Sequence, residues 1–270
     1  MGEVRIETAD RVMVITLDRP SKKNAITDAM YGDIAAALTH AAGDDGIRVA
    51  VLTGEGADFC AGNDISMFAD SNAGTQDITE SNVQPFLSAL STFPKPLMAI
   101  VRGRAIGVGV TMLLHCDLVY VATDAQLTLP FVDLGLVPEA GSAWLLPQRI
   151  GHARAFALFA LGERLSGTGA AALGLANAAL PADELTPAAM AAARTLAGKP
   201  PSALAATKRL MRDAAAIEAA MALDREAFLI QLASPEVTTA LAAFAARKSA
   251  STSSEAVTFS ALPSWLVMIL

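Results

Sequence analysis

The sequence predicts a mixed α/β fold that turns wholly helical in its second half. Apolar, β-branched runs at 12–17, 49–53, 97–101 and 118–122 alternate with helix-period segments up to about Ile150. From Gly151 onward strand signals vanish and helical patterns follow one another. With 53% hydrophobic and 17% charged residues over 270 positions, the chain can bury a large core, the opposite of a disordered composition.

The first run, Val-Met-Val-Ile-Thr-Leu, is a strand that stops at the turn Asp18-Arg19-Pro20. A helix is expected over 27–42, where Thr27 or Asp28 can cap the start and Met30, Ile34, Ala37, Leu38 and Ala41 recur at helical spacing. The strand at 49–53 closes on Gly54-Glu55-Gly56. A glycine-bearing turn follows, Phe59-Cys60-Ala61-Gly62-Asn63-Asp64-Ile65, ahead of an expected helix. Residues 71–80 are polar and read as a loop. Residues 83–93 read as a helix stopped by Pro94 and Pro96. Between the strands at 97–101 and 118–122 lie a second glycine-bearing turn, Gly103 to Gly109, and a helical run, 110–115. The apolar stretch 127–146 holds two acids, Asp133 and Glu139, and ends in a helix over 141–146. Helices are then expected at 152–162, 168–175, 186–198, 202–215, 217–233 and 235–247, the last opening Ser234-Pro235-Glu236.

Several function classes fall away. Twenty basic residues against 27 acidic give a net charge of −7, which argues against a nucleic-acid partner. Two cysteines, Cys60 and Cys116, cannot form a disulfide scaffold and fit a reducing, cytoplasmic setting. The three histidines, His40, His115 and His152, lack metal-ligand spacing, so no metal is expected. No secretory signal opens the chain. The longest apolar stretch, 97–116, is broken by Arg102, Arg104 and glycines, so no membrane span is expected. The apolar end 266–270 is too short to cross a bilayer and reads as a docking tail or a loosely ordered end. Gly103, Gly107 and Gly109 do not spell a dinucleotide fingerprint, and no Walker lysine follows.

What remains is subtler. Each glycine-bearing turn can aim free main-chain N–H groups at one point, and two converging donors make an oxyanion hole. Glycine turns before helices are also commonly just turns. Glu139, between Pro138 and Ala140-Gly141, either precedes a helix and faces solvent or is a partly buried general base with a raised pKa. His115 and Cys116 are adjacent, so in a helix they point about 100° apart, which disfavours a nucleophile–base pair. Arg247-Lys248 after Phe244 is a solvated helix end or a phosphate contact.

Taken in order and spacing, Leu17-Asp-Arg-Pro-Ser-Lys-Lys-Asn-Ala25, Phe59-Cys-Ala-Gly-Asn-Asp64, Lys95-Pro-Leu-Met-Ala-Ile-Val-Arg-Gly103, Cys116-Asp117 and Arg164-Leu-Ser resemble the crotonase, or enoyl-CoA hydratase/isomerase, family from about Glu3 to Lys248. The resemblance implies a spiral of ββα units over 1–195, a C-terminal helical trimerisation region over 196–250 and a tail over 251–270. It implies an acyl-CoA thioester substrate, a homotrimer or dimer of trimers, and an oxyanion hole from the N–H groups of Asn63 and Val108. Coenzyme A arrives as part of the substrate, and no separate cofactor is implied. Lys22, Lys23 and Lys248 fall at positions that meet the nucleotide end of coenzyme A. Ala61, Gly62, Asp64, Gly107, Phe131 and Phe244 fall at other substrate-binding positions.

The departures from the family pattern are informative. The two glutamates of the hydratases fall here on Thr111 and Phe131, neither of them a carboxylate. The glycine pair at the second turn becomes Gly107-Val108-Gly109, which keeps a donor at 108 if its φ is negative. Residues 107–114 and 136–141 look like the Δ3,Δ2-enoyl-CoA isomerase branch, in which one glutamate, matching Glu139, moves the proton. Ring-opening isomerases of phenylacetyl-CoA catabolism place an aspartate there. The expectation is therefore an isomerase of fatty-acid or aromatic-acid catabolism. The alternatives are a hydratase, with Asp133 as the only nearby second acid, and a non-catalytic acyl-CoA-binding homologue. Position and apolarity suggest Met67, Phe68, Phe86, Phe131 and Trp144 as pocket walls.

Overall fold

A computed structural model describes residues 2–64, 81–240, 242 and 243. Its main sheet has six strands, β1 (Val4–Ala9), β2 (Val12–Leu17), β3 (Val49–Gly54), β4 (Leu97–Val101), β6 (Leu118–Ala122) and β9 (Ala178–Leu180), in that spatial order. Only β1 and β2 pair antiparallel; the rest are parallel, with Val12 opposite Val49, Ala50 opposite Leu97 and Met98 opposite Leu118. β3 and β4 are covered on both faces, and accordingly read as unbroken apolar runs. A second sheet of three short strands, β5 (Arg104–Ile106), β7 (Gln126–Thr128) and β8 (Leu165–Ser166), sits beside the glycine turns.

Five of these strands were not expected. β1 is a largely exposed edge with polar residues, and its hairpin turns through Asp10 and Arg11 at φ 52° and 64°, without the glycine that advertises such turns. β5, β7, β8 and β9 are three residues or fewer, below what periodicity resolves. β8 and β9 also correct the expectation that strands end near Ile150. β9 is an Ala-Ala-Leu segment whose composition favours helix, held extended by pairing to β6.

Helix α1 (Asp28–Gly43) starts as expected, with Thr27 Oγ1 accepting from Met30 N–H at 3.3 Å. Asp28 is taken instead by Asn82, just ahead of α2 (Val83–Thr92). The turn after α1 is fixed by Lys95, whose Nζ donates to the carbonyls of Ala41, Asp44 and Ile47 at 2.6, 2.7 and 2.9 Å. α1 and α2 meet through Tyr31 and Phe86, with ring centroids 4.8 Å apart. The run expected at 110–115 begins two residues earlier, as α3 (Val108–Thr111), and tightens into a 3₁₀ turn over Met112–His115.

Later helices are α4 (Ser142–Ile150), α5 (His152–Ala160), α6 (Gly167–Ala172), α7 (Ala182–Ala197), α8 (Pro201–Met211) and α9 (Ala214–Leu232). Residues 235–240 are helical again. The expected loop at 71–80, the end of the helix at 235–247 and the tail at 251–270 lie outside the described residues. α8 and α9 leave Leu210, Met211, Leu223 and Ile230 largely exposed. Among the described residues, no helix is long and apolar enough to cross a membrane.

Candidate active site

The two glycine-bearing turns run side by side. Cys60 and Ala105 form a parallel bridge; Ile106 N–H donates to Cys60 O at 2.9 Å and Cys60 N–H to Arg104 O at 3.0 Å. The approach is close enough to exclude side chains: a Cβ on Gly109 would stand 2.8 Å from Cys60 O. Gly107 turns the chain at φ 54° and its carbonyl accepts from Val110 and Thr111, so α3 starts at Val108. Val108 has negative φ, and its N–H has no acceptor among the described residues. The same is true of Asn63 N–H, although its neighbour Asp64 N–H reaches Ile26 O at 2.9 Å. Two adjoining segments thus each present one unpaired main-chain donor.

The loop bearing Asn63 is held from behind. Fully buried Tyr31 donates its hydroxyl hydrogen to Asn63 Oδ1. Asp64 accepts from Arg19 at 2.5 Å, and Arg19 also pairs with Glu3 at 2.8 Å, so the carboxylate of Asp64 is occupied in tying the loop to the first strands. Ala61 N–H donates to Lys23 O at 3.0 Å, which sets the turn of exposed Lys22 and half-buried Lys23 beside the loop.

Glu139 meets α3, the helix that starts at Val108. A 3₁₀ turn over Val132–Leu134 leads to Gly135 at φ 72°; after Glu139, Ala140 and Gly141 sit at φ 61° and 70° before α4 begins. The residue is half-buried. Buried Thr111 donates Oγ1–H to Glu139 Oε1 at 2.5 Å. Desolvation pushes the Glu139 carboxyl up to about 7; the Thr111 bond pulls against this and the charge of Asp224 adds to it. Asp224, on α9, is itself raised to about 6 by desolvation, moderated by the backbone N–H groups of Ala143, Gly141 and Ser142 at the start of α4. Desolvation pushes the Tyr31 hydroxyl well above its ordinary value, and the charge of Glu139 adds to this. The geometry can therefore hold an anion on two N–H groups and exchange a proton near neutral pH.

The other sequence candidates scatter. Phe131 is buried against Phe159, centroids 6.2 Å apart, and Trp144 is half-buried on α4. Phe86 is a correction: it has no exposure and fills the core against Tyr31, so it cannot line an open pocket. Met67, Phe68, Phe244 and Lys248 lie outside the described residues. Asp133 is exposed on its 3₁₀ turn. Cys60 and Cys116 are buried thiols pushed up to about 12 by desolvation, inert as nucleophiles at neutral pH. No metal-holding cluster occurs among the described residues.

Two contributors escaped the sequence reading: Tyr31 and Asp224. Asp224 left a usable signal. It stands seven residues after Ile217 and four after Ala220 on the buried stripe of α9, where an acid is out of place.

A family model described as enoyl-CoA hydratase/isomerase matches residues 7–252. A probable enoyl-CoA hydratase of Rhodobacter capsulatus is 36% identical over 206 residues, 76% of this chain and 79% of its own. Enoyl-CoA delta isomerase 2 of Rattus norvegicus is 36% identical over 201 residues; these are 73% of this chain but 51% of that protein. Among solved structures, Pseudomonas aeruginosa OdaA is 45% identical with a TM-score of 0.85, covering 90% of this chain and 99% of that one.

Proposed function

The chain belongs to the enoyl-CoA hydratase/isomerase family, and on that premise we propose that it is an enoyl-CoA isomerase shifting a 3-enoyl-CoA double bond to the 2-position. The thioester oxygen accepts from the N–H groups of Asn63 and Val108, which stabilise the enolate that forms when the C2 proton leaves. Glu139 takes that proton and returns it at C4. One carboxylate serves both carbons when both lie within hydrogen-bond reach of it. The step moves one proton and no electrons, so it calls on no redox cofactor. Lys22 and Lys23, beside the Asn63 loop, are suited to the phosphates of coenzyme A. The exposed apolar residues of α8 and α9 suit a homotrimer, and the setting proposed is cytoplasmic.

The observation that carries this reading is a half-buried carboxylate, held at about 7, that Thr111 bonds to the helix whose first residue, Val108, bears one of the two donors. Hydration needs a water activated and a proton delivered by separate groups. At the positions of Thr111 and Phe131 stand a weakly acidic hydroxyl and a hydrocarbon. Asp224, also half-buried, is stabilised as an anion by the backbone N–H groups of Ala143, Gly141 and Ser142. The test is to measure 3-enoyl-CoA isomerisation and 2-enoyl-CoA hydration in the wild type and in Glu139→Gln. Isomerisation should dominate, and kcat should fall about 10²–10⁴-fold in the variant while substrate still binds. Robust hydration that survives Glu139→Gln would overturn the isomerase assignment.

A further inference from the structure

We infer that His115 is a positioning residue for Glu139: it grips the main chain of the loop that bears the carboxylate and locks it to the segment that bears the Val108 donor. The inference rests on Glu139 being the proton carrier.

His115 closes the 3₁₀ turn that continues α3 and has no solvent exposure. Its Nε2 stands 2.9 Å from Ala140 O. A carbonyl only accepts, so Nε2 must carry the hydrogen. The neutral ring then offers Nδ1 as an acceptor, and Arg212 Nη2 stands 3.4 Å from it, while Arg212 Nη1 donates to His115 O at 3.1 Å. A guanidinium cannot accept, so both ring contacts require the same tautomer.

The surroundings keep that ring neutral. Arg149 donates to Leu114 O and Cys116 O at 2.6 and 3.2 Å, and Lys208 pairs with Asp117 at 2.7 Å. Three cations, Arg149, Lys208 and Arg212, thus crowd His115, with Asp117 the acid among them. Desolvation and this positive field hold the imidazole at about 4, so it stays a fixed donor across the working pH range.

The geometry of the grip is what matters. Thr111 and His115 are four residues apart, and both reach the Glu139–Ala140 segment. Thr111 holds Glu139 Oε1, and His115 holds the carbonyl one residue later. Ala140 is an L-residue at φ 61°, a conformation that drifts unless its neighbours pin it. Attached at both points, the base cannot move relative to Val108 N–H, so the distance between enolate oxygen and proton carrier is set before substrate arrives.

The test uses His115→Phe, which keeps bulk and removes the donor, and His115→Gln, whose amide N–H can reach the same carbonyl. In His115→Phe, kcat for isomerisation should fall about 10²-fold with KM little changed, as for a misplacement of the base by roughly an ångström. His115→Gln should recover to within about tenfold of wild type. Added to Glu139→Gln, His115→Phe should cost almost nothing further, because its effect passes through the carboxylate. The wild type is tested independently of any variant. It has three histidines, and ¹⁵N NMR should find one of them as the Nε2–H tautomer, unchanged from pH 5 to 9. A wild-type kcat in His115→Phe, an additive loss in the double variant, or an Nδ1–H tautomer would each overturn the inference. Those failures differ from failure of the isomerase reading, which Glu139→Gln alone would reveal by retaining full activity, and which would take this inference down with it.

Discussion

The two sides of the site are built from different materials. On the side of Asn63 and Val108 the proposed working groups are main-chain N–H, and what holds them is a bridge between Cys60 and Ala105 and a glycine pressed onto Cys60. On the side of Glu139 the working group is a side chain, held by Thr111 and loaded by the charge of Asp224. The first side depends on backbone path. The second depends on individual side chains drawn from α3 and α9. Under the proposed function this is a division of labour: the backbone cradle would suit any thioester enolate, whereas the side-chain half would decide where the proton goes.

Four measurements break or sharpen this contrast. The largest effect belongs to Val108→Pro. Proline is tolerated at the first position of a helix but lacks the N–H, so kcat should fall about 10²–10³-fold with little change in melting temperature. Retained activity would mean that the cradle draws on other donors. Next comes the pH profile. A base must be ionised, so kcat/KM should climb about tenfold per unit up to about 7 and then level. Thr111→Val removes the bond that lowers this pKa and should push the limb to higher pH; an unmoved limb would detach Thr111 from the base.

The third measurement is of stability. The folded pKa of Glu139 is raised from 4.5 to about 7, so its penalty is absent below the unfolded value and appears as pH rises through the folded one. Glu139→Gln should therefore gain on the order of 2 kcal/mol over the wild type at pH 8 and almost nothing near pH 4, read by denaturant unfolding at both. Equal gains at both pH values would show that burial of charge is not what strains the wild type. The smallest effect on rate is expected from Asn63→Ala, which keeps the N–H: kcat should stay within a few-fold. The orphaned Tyr31 hydroxyl should instead cost about 1–3 kcal/mol of stability. A collapse in kcat as large as that of Val108→Pro would show that the Asn63 side chain takes part.

The same contrast explains what could be read from residues alone. The cradle leaves a local mark, because positive φ demands glycine at 62 and 107 and close backbone approach demands it at 109. Glu139 was visible as a lone carboxylate in an apolar run. Its supports were not, since Arg212 and His115 are 97 positions apart and meet only in three dimensions. Tyr31 sits among the core residues of α1, and nothing local tells an apolar ring from one whose hydroxyl holds a loop. Long parallel strands declared themselves through burial on both faces, whereas β5, β7, β8 and β9 form only because neighbours pair with them.

The bend after Glu139 also shapes how this site can vary over generations. Ala140 and Gly141 occupy consecutive left-handed conformations, and a Cβ on Gly141 would press to 3.1 Å from Met221 Cγ. Bulky or β-branched residues at either position face a penalty of roughly 1–2 kcal/mol from the backbone alone. Position 139 itself carries no such restriction. Under random substitution the bend should accept little beyond small residues, while its tip can exchange one acid for another in a single step. The fold thus offers selection a socket: the mount is fixed, and the tool it holds can be changed without rebuilding it.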